Sequence, residues 1–203
     1  MSPLQKLLDE GSLHPHCGTA AQRAALKAKL THAGNSEVVA GDLTLSEGDD
    51  RILEMSRVVV KGNLVLEDQS RLLVAGDLEV EGNIIHEGLD YALLFTGGAL
   101  CAKNLLFHGE LVALGPITVQ DVAWTYYNDC STYADSLKAR IVVADDRFDA
   151  VDAVHAEQHL HGHASTLAEA LSKLLAPGVL NDSGDWSYRE VAKHLLRGQR
   201  LLR

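Results

Sequence analysis

Residues 58–83 read VVVKGNLVLEDQSRLLVAGDLEVEGN, and the stretch says nearly the same thing three times: a short aliphatic run, a glycine, an Asp or Asn, then Leu or Ile. The side chains alternate with the period of two that a strand imposes. Val58, Val60, Leu64 and Leu66 share one side, and Lys61, Asn63 and Val65 share the other. Leu72, Val74, Leu78 and Val80 then repeat the dry side against Ala75, Asp77, Glu79 and Glu81. The glycine falls on the dry side, where a missing Cβ permits a bend or a close backbone approach, and the neighbouring Asp or Asn tolerates turn conformations.

Outward from this stretch the phrase recurs as VAGDLTL around Gly41, VKGNLVL around Gly62, VAGDLEV around Gly76, TGGALCA around Gly98 and ALGPITV around Gly115, at intervals of 21, 14, 22 and 17 residues. Shorter echoes stand at Gly82 (EGNII) and Gly109 (HGELVA). Self-similarity of this kind marks a solenoid, whose single turns bury their apolar side only against one another. An antiparallel sandwich would place Asn-Gly or Asp-Gly turns between its strands. Here the order is Gly-Asp and Gly-Asn, inside the strand pattern. The spacing therefore predicts parallel coils of about 18 to 20 residues with aliphatic ladders inside. The intervals are too uneven for a strict hexapeptide helix, so residues 48–57, 86–92 and 124–136 are expected to bulge, and 138–146 to form the last coil.

The ends read as helices. Thr19 with Gln22 is a capping-box signal, Thr166 with Glu169 is a second, and Ser187 with Glu190 is a third, with Trp186 and Val191 placed as a hydrophobic staple. The organisation expected is a helical N-terminal segment over residues 1–36, a β-solenoid over 37–148, and a His-rich linker with a helical C-terminal cap over 149–203. Helices at both ends are expected to cover the open edges of the solenoid.

Composition sets the class. The 203 residues are 46% hydrophobic and 23% charged, with a mean hydropathy of -0.01, as in an ordinary globular domain. A net charge of -10 argues against nucleic acid as a partner, since phosphate binding relies on a basic surface. Arg189, Lys193, Arg197, Arg200 and Arg203 nonetheless gather near the C-terminus. No apolar run reaches the roughly 18 to 20 residues that cross a bilayer, and the first residues lack the pattern of a signal peptide, so no membrane partner and a cytoplasmic location are expected. The three scattered cysteines, Cys17, Cys101 and Cys130, fit reduced thiols.

The run of glycine phrases from about residue 38 to 145 resembles the β-solenoid domain of bactofilins, the bacterial polymer-forming proteins. It also resembles a broader set of uncharacterised bacterial proteins with G-D-L-x-V rungs, an aromatic segment and a helical tail. The resemblance implies a right-handed parallel β-helix and self-assembly. Longer loops, uneven rungs and the helical C-terminus depart from the bactofilin pattern, and a capped solenoid does not stack indefinitely.

Two segments carry candidate chemistry. HAEQHLHGH holds His155, His159, His161 and His163. On a helix His155 and His159 would share a face, and on a strand His159, His161 and His163 would; either offers imidazole nitrogens to zinc or nickel, with Glu157, Asp149 and Asp152 nearby. The plain alternative is a polar linker. His14, His16 and Cys17 form a weaker echo. Trp124, Tyr126, Tyr127 and Tyr133 suit a protein-binding surface rimmed by Asn128 and Asp129, or equally the cover of the last coils. The pairs Asp49-Asp50 and Asp145-Asp146 lack calcium-loop spacing, and no P-loop, Rossmann, nucleophile-elbow or zincin motif occurs. The function expected is a non-enzymatic scaffold that binds protein, itself included as a homo-oligomer. The alternatives are a metal-binding protein or enzyme centred on His155 to His163, and an acidic inhibitor of a toxin.

Overall fold

The computed structural model describes residues 2–10, 13–30, 33–126, 130–145, 149–162, 164–180 and 186–203. Eighteen strands wind as a parallel β-solenoid with three sides. Coil one is β1 (Ala33–Val39), β2 (Leu43–Leu45) and β3 (Asp50–Leu53); coil two is β4 (Met55–Val60), β5 (Leu64–Leu66) and β6 (Arg71–Val74). Coil three is β7 (Asp77–Val80), β8 (Asn83–His86) and β9 (Leu93–Thr96); coil four is β10 (Leu100–Ala102), β11 (Asn104–Phe107) and β12 (Glu110–Ala113). Coil five is β13 (Pro116–Val119), β14 (Val122–Tyr126) and β15 (Thr132–Ala134). In coil six the first corner is lost, because β16 (Ser136–Asp145) pairs with β13 over its first part and with β14 over its last. It closes with β17 (Asp149–Val151), and β18 (Val154–Gly162) begins a seventh turn along β16. The expected parallel solenoid is therefore observed. The chain runs one coil beyond the expected last one, the tract taken for a His-rich linker is a strand, and residues 50–53 and 55–60 are strands rather than a bulge.

The glycine phrases do not mark one column. VAGDL occurs twice, at 39–43 and 74–78, at two different corners. Gly41, Gly62 and Gly82 stack where side one turns into side two, through Gly62 N–H to Gly41 O and Gly82 N–H to Gly62 O, each 3.0 Å. Gly76 and Gly98 stack where side three turns into side one, again at 3.0 Å. The interval of 14 is the walk from one corner to the other within a coil. The true repeat along side two is 21, 20 and 21 residues, from Leu43 to Leu64, Ile84 and Leu105.

The polar residue after Gly41, Gly62 and Gly76 reaches to the next coil. Asp42 Oδ1 accepts from Asn63 N at 2.7 Å, Asn63 Oδ1 from Asn83 N at 2.9 Å, and Asp77 Oδ1 from Ala99 N at 2.7 Å. Asn83 and Asn104 extend the ladder inside, Asn104 Nδ2 donating to Asn83 Oδ1 at 2.9 Å. This explains the phrase. A Cβ on Gly62 would lie 2.0 Å from Asp42 Oδ1, and one on Gly98 would lie 2.0 Å from Asp77 Oδ1, so the glycine leaves room for the carboxylate of the coil before.

Three apolar layers result. Inside the coils lie Val58, Val60, Leu64, Leu66, Leu72, Val74, Leu78 and Val80, all on the predicted dry side, with their successors to Val142. Burial of each contributes roughly 1.5–3 kcal/mol. The outside is also covered on two sides. Helices α1 (Pro3–Glu10), α2 (His14–Cys17) and α3 (Ala20–Lys27) bury Leu4, Leu7, Leu13 and Leu26 against Leu73, Phe95, Val112 and Tyr133 of side three. Helices α4 (Ala164–Leu174) and α5 (Tyr188–Leu196) bury Leu167, Leu171, Val191 and Leu195 against Ile85, Leu106, Trp124 and Val143 of side two. The helices thus lie along the flanks rather than over the ends. An amphipathic helix needs an apolar wall, and here the outward residues of sides two and three supply one. Among the described residues, side one carries no helix in either apolar layer.

Candidate functional site

Registers show what lies at the two open ends of the interior. On side two, one inward column runs Leu43, Leu64, Ile84, Leu105, Ala123, Val142 and ends in His159. Beside it, Phe107, Thr125 and Ala144 lead to His161. The last layer of the core on this side is two imidazoles, both exposed. Val154 and Ala156 end the inward columns of side one over Leu137 and Ala139, and Val154 is 38% exposed. At the other end, Glu37 lies in register with Val58 and Arg51 with Leu72, so both occupy inward positions. Arg51 donates to Glu37 at 3.2 Å. One mouth therefore carries an ion pair, and the other carries imidazoles and small aliphatic groups.

Among the described residues, β1, β2 and β3 have partners on one edge only, and so do β17 and β18. A strand edge without a strand partner is a natural template for another strand. Charge pointing inward at an edge opposes such pairing, and the Arg51–Glu37 pair places it at the first mouth.

No family model, curated protein or solved structure matches the chain.

The strand places the histidines. His159 and His161 share the inward side, as a strand requires, whereas His155 points outward from side one. There it lines a shallow groove of about 420 Å³ with Thr118, Gln120, Lys138, Arg140 and Glu157. Arg140 stands 3.7 Å from both Asp121 and Glu157. His163 lies outside the described residues, and among those described no group of three or more His, Cys, Asp or Glu side chains could hold a metal. One chain thus supplies His159 and His161 as a pair of potential ligands.

The aromatic cluster is divided. Trp124 is 1% exposed and meets Trp186 at a ring-centroid distance of 4.7 Å. Its expected place in an open binding surface is therefore corrected, because the C-terminal helices cover it. Tyr133 is buried under the N-terminal helices. The backbone of Tyr126 ends β14, and Tyr127, Asn128 and Asp129 lie outside the described residues.

One polar cluster escaped the sequence reading. His86, fully buried, stands 3.2 Å from Asp68 Oδ1, and its backbone oxygen accepts from Tyr188 Oη at 2.9 Å. His108 packs edge-on to Tyr188. These residues come from three coils and α5, with Tyr188 about a hundred positions from His86, so no local signal joins them. They fasten α5 to the corner between sides two and three. The N-terminal layer is fastened by Arg23, 1% exposed, which is paired with Asp152 and lies 3.3 Å from Asp135. Cys17 is fully buried beside it, and burial pushes its thiol up to about 12.

Proposed function

We propose that this chain is a non-enzymatic β-solenoid scaffold that works through protein–protein contact, first of all with its own copies. The observation that supports it is the placement of the helices along the flanks, which among the described residues leaves β1 to β3, β17 and β18 with a strand partner on one edge only. No helix among the described residues is long and apolar enough to cross a membrane. On this reading the protein is bacterial and cytoplasmic, with Cys17, Cys101 and Cys130 kept as thiols outside any disulfide.

Sedimentation velocity over a wide concentration range tests the proposal. The expected result is a mass above the monomer that rises with concentration. A strictly monomeric particle throughout, with and without divalent metal, would remove self-association.

A further inference from the structure

We propose that His159 and His161 are half of a metal site that a second copy of this chain completes at the C-terminal mouth, the ion being a divalent transition metal of the zinc type. The inference deepens the scaffold reading and rests on it. It starts from β18, which among the described residues pairs on one edge only, with β16. On side two the paired segment of β18 is Gln158, His159, Leu160, His161 and Gly162 over Ile141–Asp145, and its midpoint is Leu160. A two-fold axis through that midpoint, perpendicular to the solenoid, lays this segment antiparallel against its own copy. His159 of one chain then stands opposite His161 of the other, and the reverse. The interface is isologous and closes at two chains.

Geometry brings the four imidazoles together as a ligand set. Residues directly opposite in an antiparallel pair have Cβ atoms about 4.5–5.5 Å apart, and two residues along a strand cover about 6.6 Å. All four rings therefore project from a patch a few ångströms wide, toward the same side, and a tetrahedral ion takes imidazole nitrogens at about 2.0–2.1 Å. The floor of the patch is Val142 and Ala144, 1% and 2% exposed, an apolar base that strengthens ligation by excluding water. A single chain falls short of the three or four protein ligands such an ion requires, which makes the second copy part of the site. A pairing of five residues is too small to hold two chains alone, so the metal controls association. The opposite mouth, with Arg51 and Glu37 turned inward, does not repeat the arrangement, and the product is a pair of chains rather than a filament.

The test uses the full chain without a histidine tag, compared by sedimentation velocity and native mass spectrometry in EDTA, with zinc, and with magnesium. Zinc alone is expected to double the mass with one ion per two chains. His159→Ala and His161→Ala, both at exposed positions, should each abolish the doubling while circular dichroism stays unchanged, and His155→Ala should leave it intact. Zinc bound without a change in mass, or no zinc bound, overturns the inference. Association indifferent to zinc and to both substitutions also overturns it, yet leaves the scaffold reading standing. A monomer under every condition removes both.

Discussion

Gly41 and Gly76 sit in the same five-residue phrase and differ in what lies beside them. A Cβ on Gly76 would stand 2.0 Å from Ser56 O, whereas one on Gly41 meets nothing within 4 Å. Gly76→Ala is therefore expected to cost about 1–3 kcal/mol or more through forced backbone movement, and Gly41→Ala to stay within about 0.5 kcal/mol of the parent. Urea titration of the two variants reads the difference. Equal losses would contradict the placement of Gly41 in the first coil and of Gly76 directly against the coil before it. Cys17 supplies a second residue-scale prediction. Its folded pKa, about 12, lies above its ordinary value of 9.0, so the unfolded chain loses the thiol proton first. Stability contributed by the neutral buried thiol is complete below about pH 9 and falls as pH rises from there toward 12. Replacing Cys17 with Ala should flatten that alkaline decline in thermal melts. At this scale the sequence already told which side chains point inward, Val58 to Val80 among them, because a period of two needs only neighbours. It did not tell that Asp42 and Asp77 bind the coil above, since the bond spans 21 or 22 residues and phrases aligned by likeness mix two corners.

Two helix starts were legible for the same local reason, while Thr166, expected to start a third, lies inside α4. Thr19 and Gln22 form both bonds of the capping box, and the Ser187 side chain accepts from Glu190 N. The sites where these helices dock were not legible, because an apolar stripe says that something is covered without saying what. Side three and side two each offered an outward apolar wall, and the helices took the walls rather than the ends. Arg23 is the polar anchor of the N-terminal layer, donating also to Cys17 O at 3.0 Å. Its two carboxylate partners are about half exposed, so water takes up much of their charge when the guanidinium is removed. Arg23→Met is expected to cost about 1–3 kcal/mol and to raise hydrogen exchange in α1 to α3 before any strand responds. Loosening that began in β14 or β16 instead would show that Arg23 does not act on this layer.

Across the whole molecule each coil touches only its neighbours, so protection should follow position in the stack. Amide exchange is expected to be slowest in coils three to five, where sides two and three are sheathed by helices, and fastest in β1 and β18. The candidate site belongs to this scale, which is why the sequence showed only part of it. HLHGH on a strand puts His159 and His161 on one side, but their place at the top of the core columns depends on the pairing of β16 with β18. The same holds for Glu37 and Arg51, which look like ordinary surface charges until the register turns them inward. The central claim, that the glycine phrases mark coils stacked in parallel, is tested most directly by a thiol pair across two coils. Cys101 is in register with Thr118, and adjacent strands lie about 4.8 Å apart, within the span of a disulfide. Mild oxidation of Thr118→Cys is predicted to join Cys101 to the introduced thiol, found as one linked peptide pair, while Gln120→Cys, two residues along and beyond that span, stays reduced. Free thiols in the first variant, or a bond formed in the second and not the first, would contradict the stacking and everything built on it.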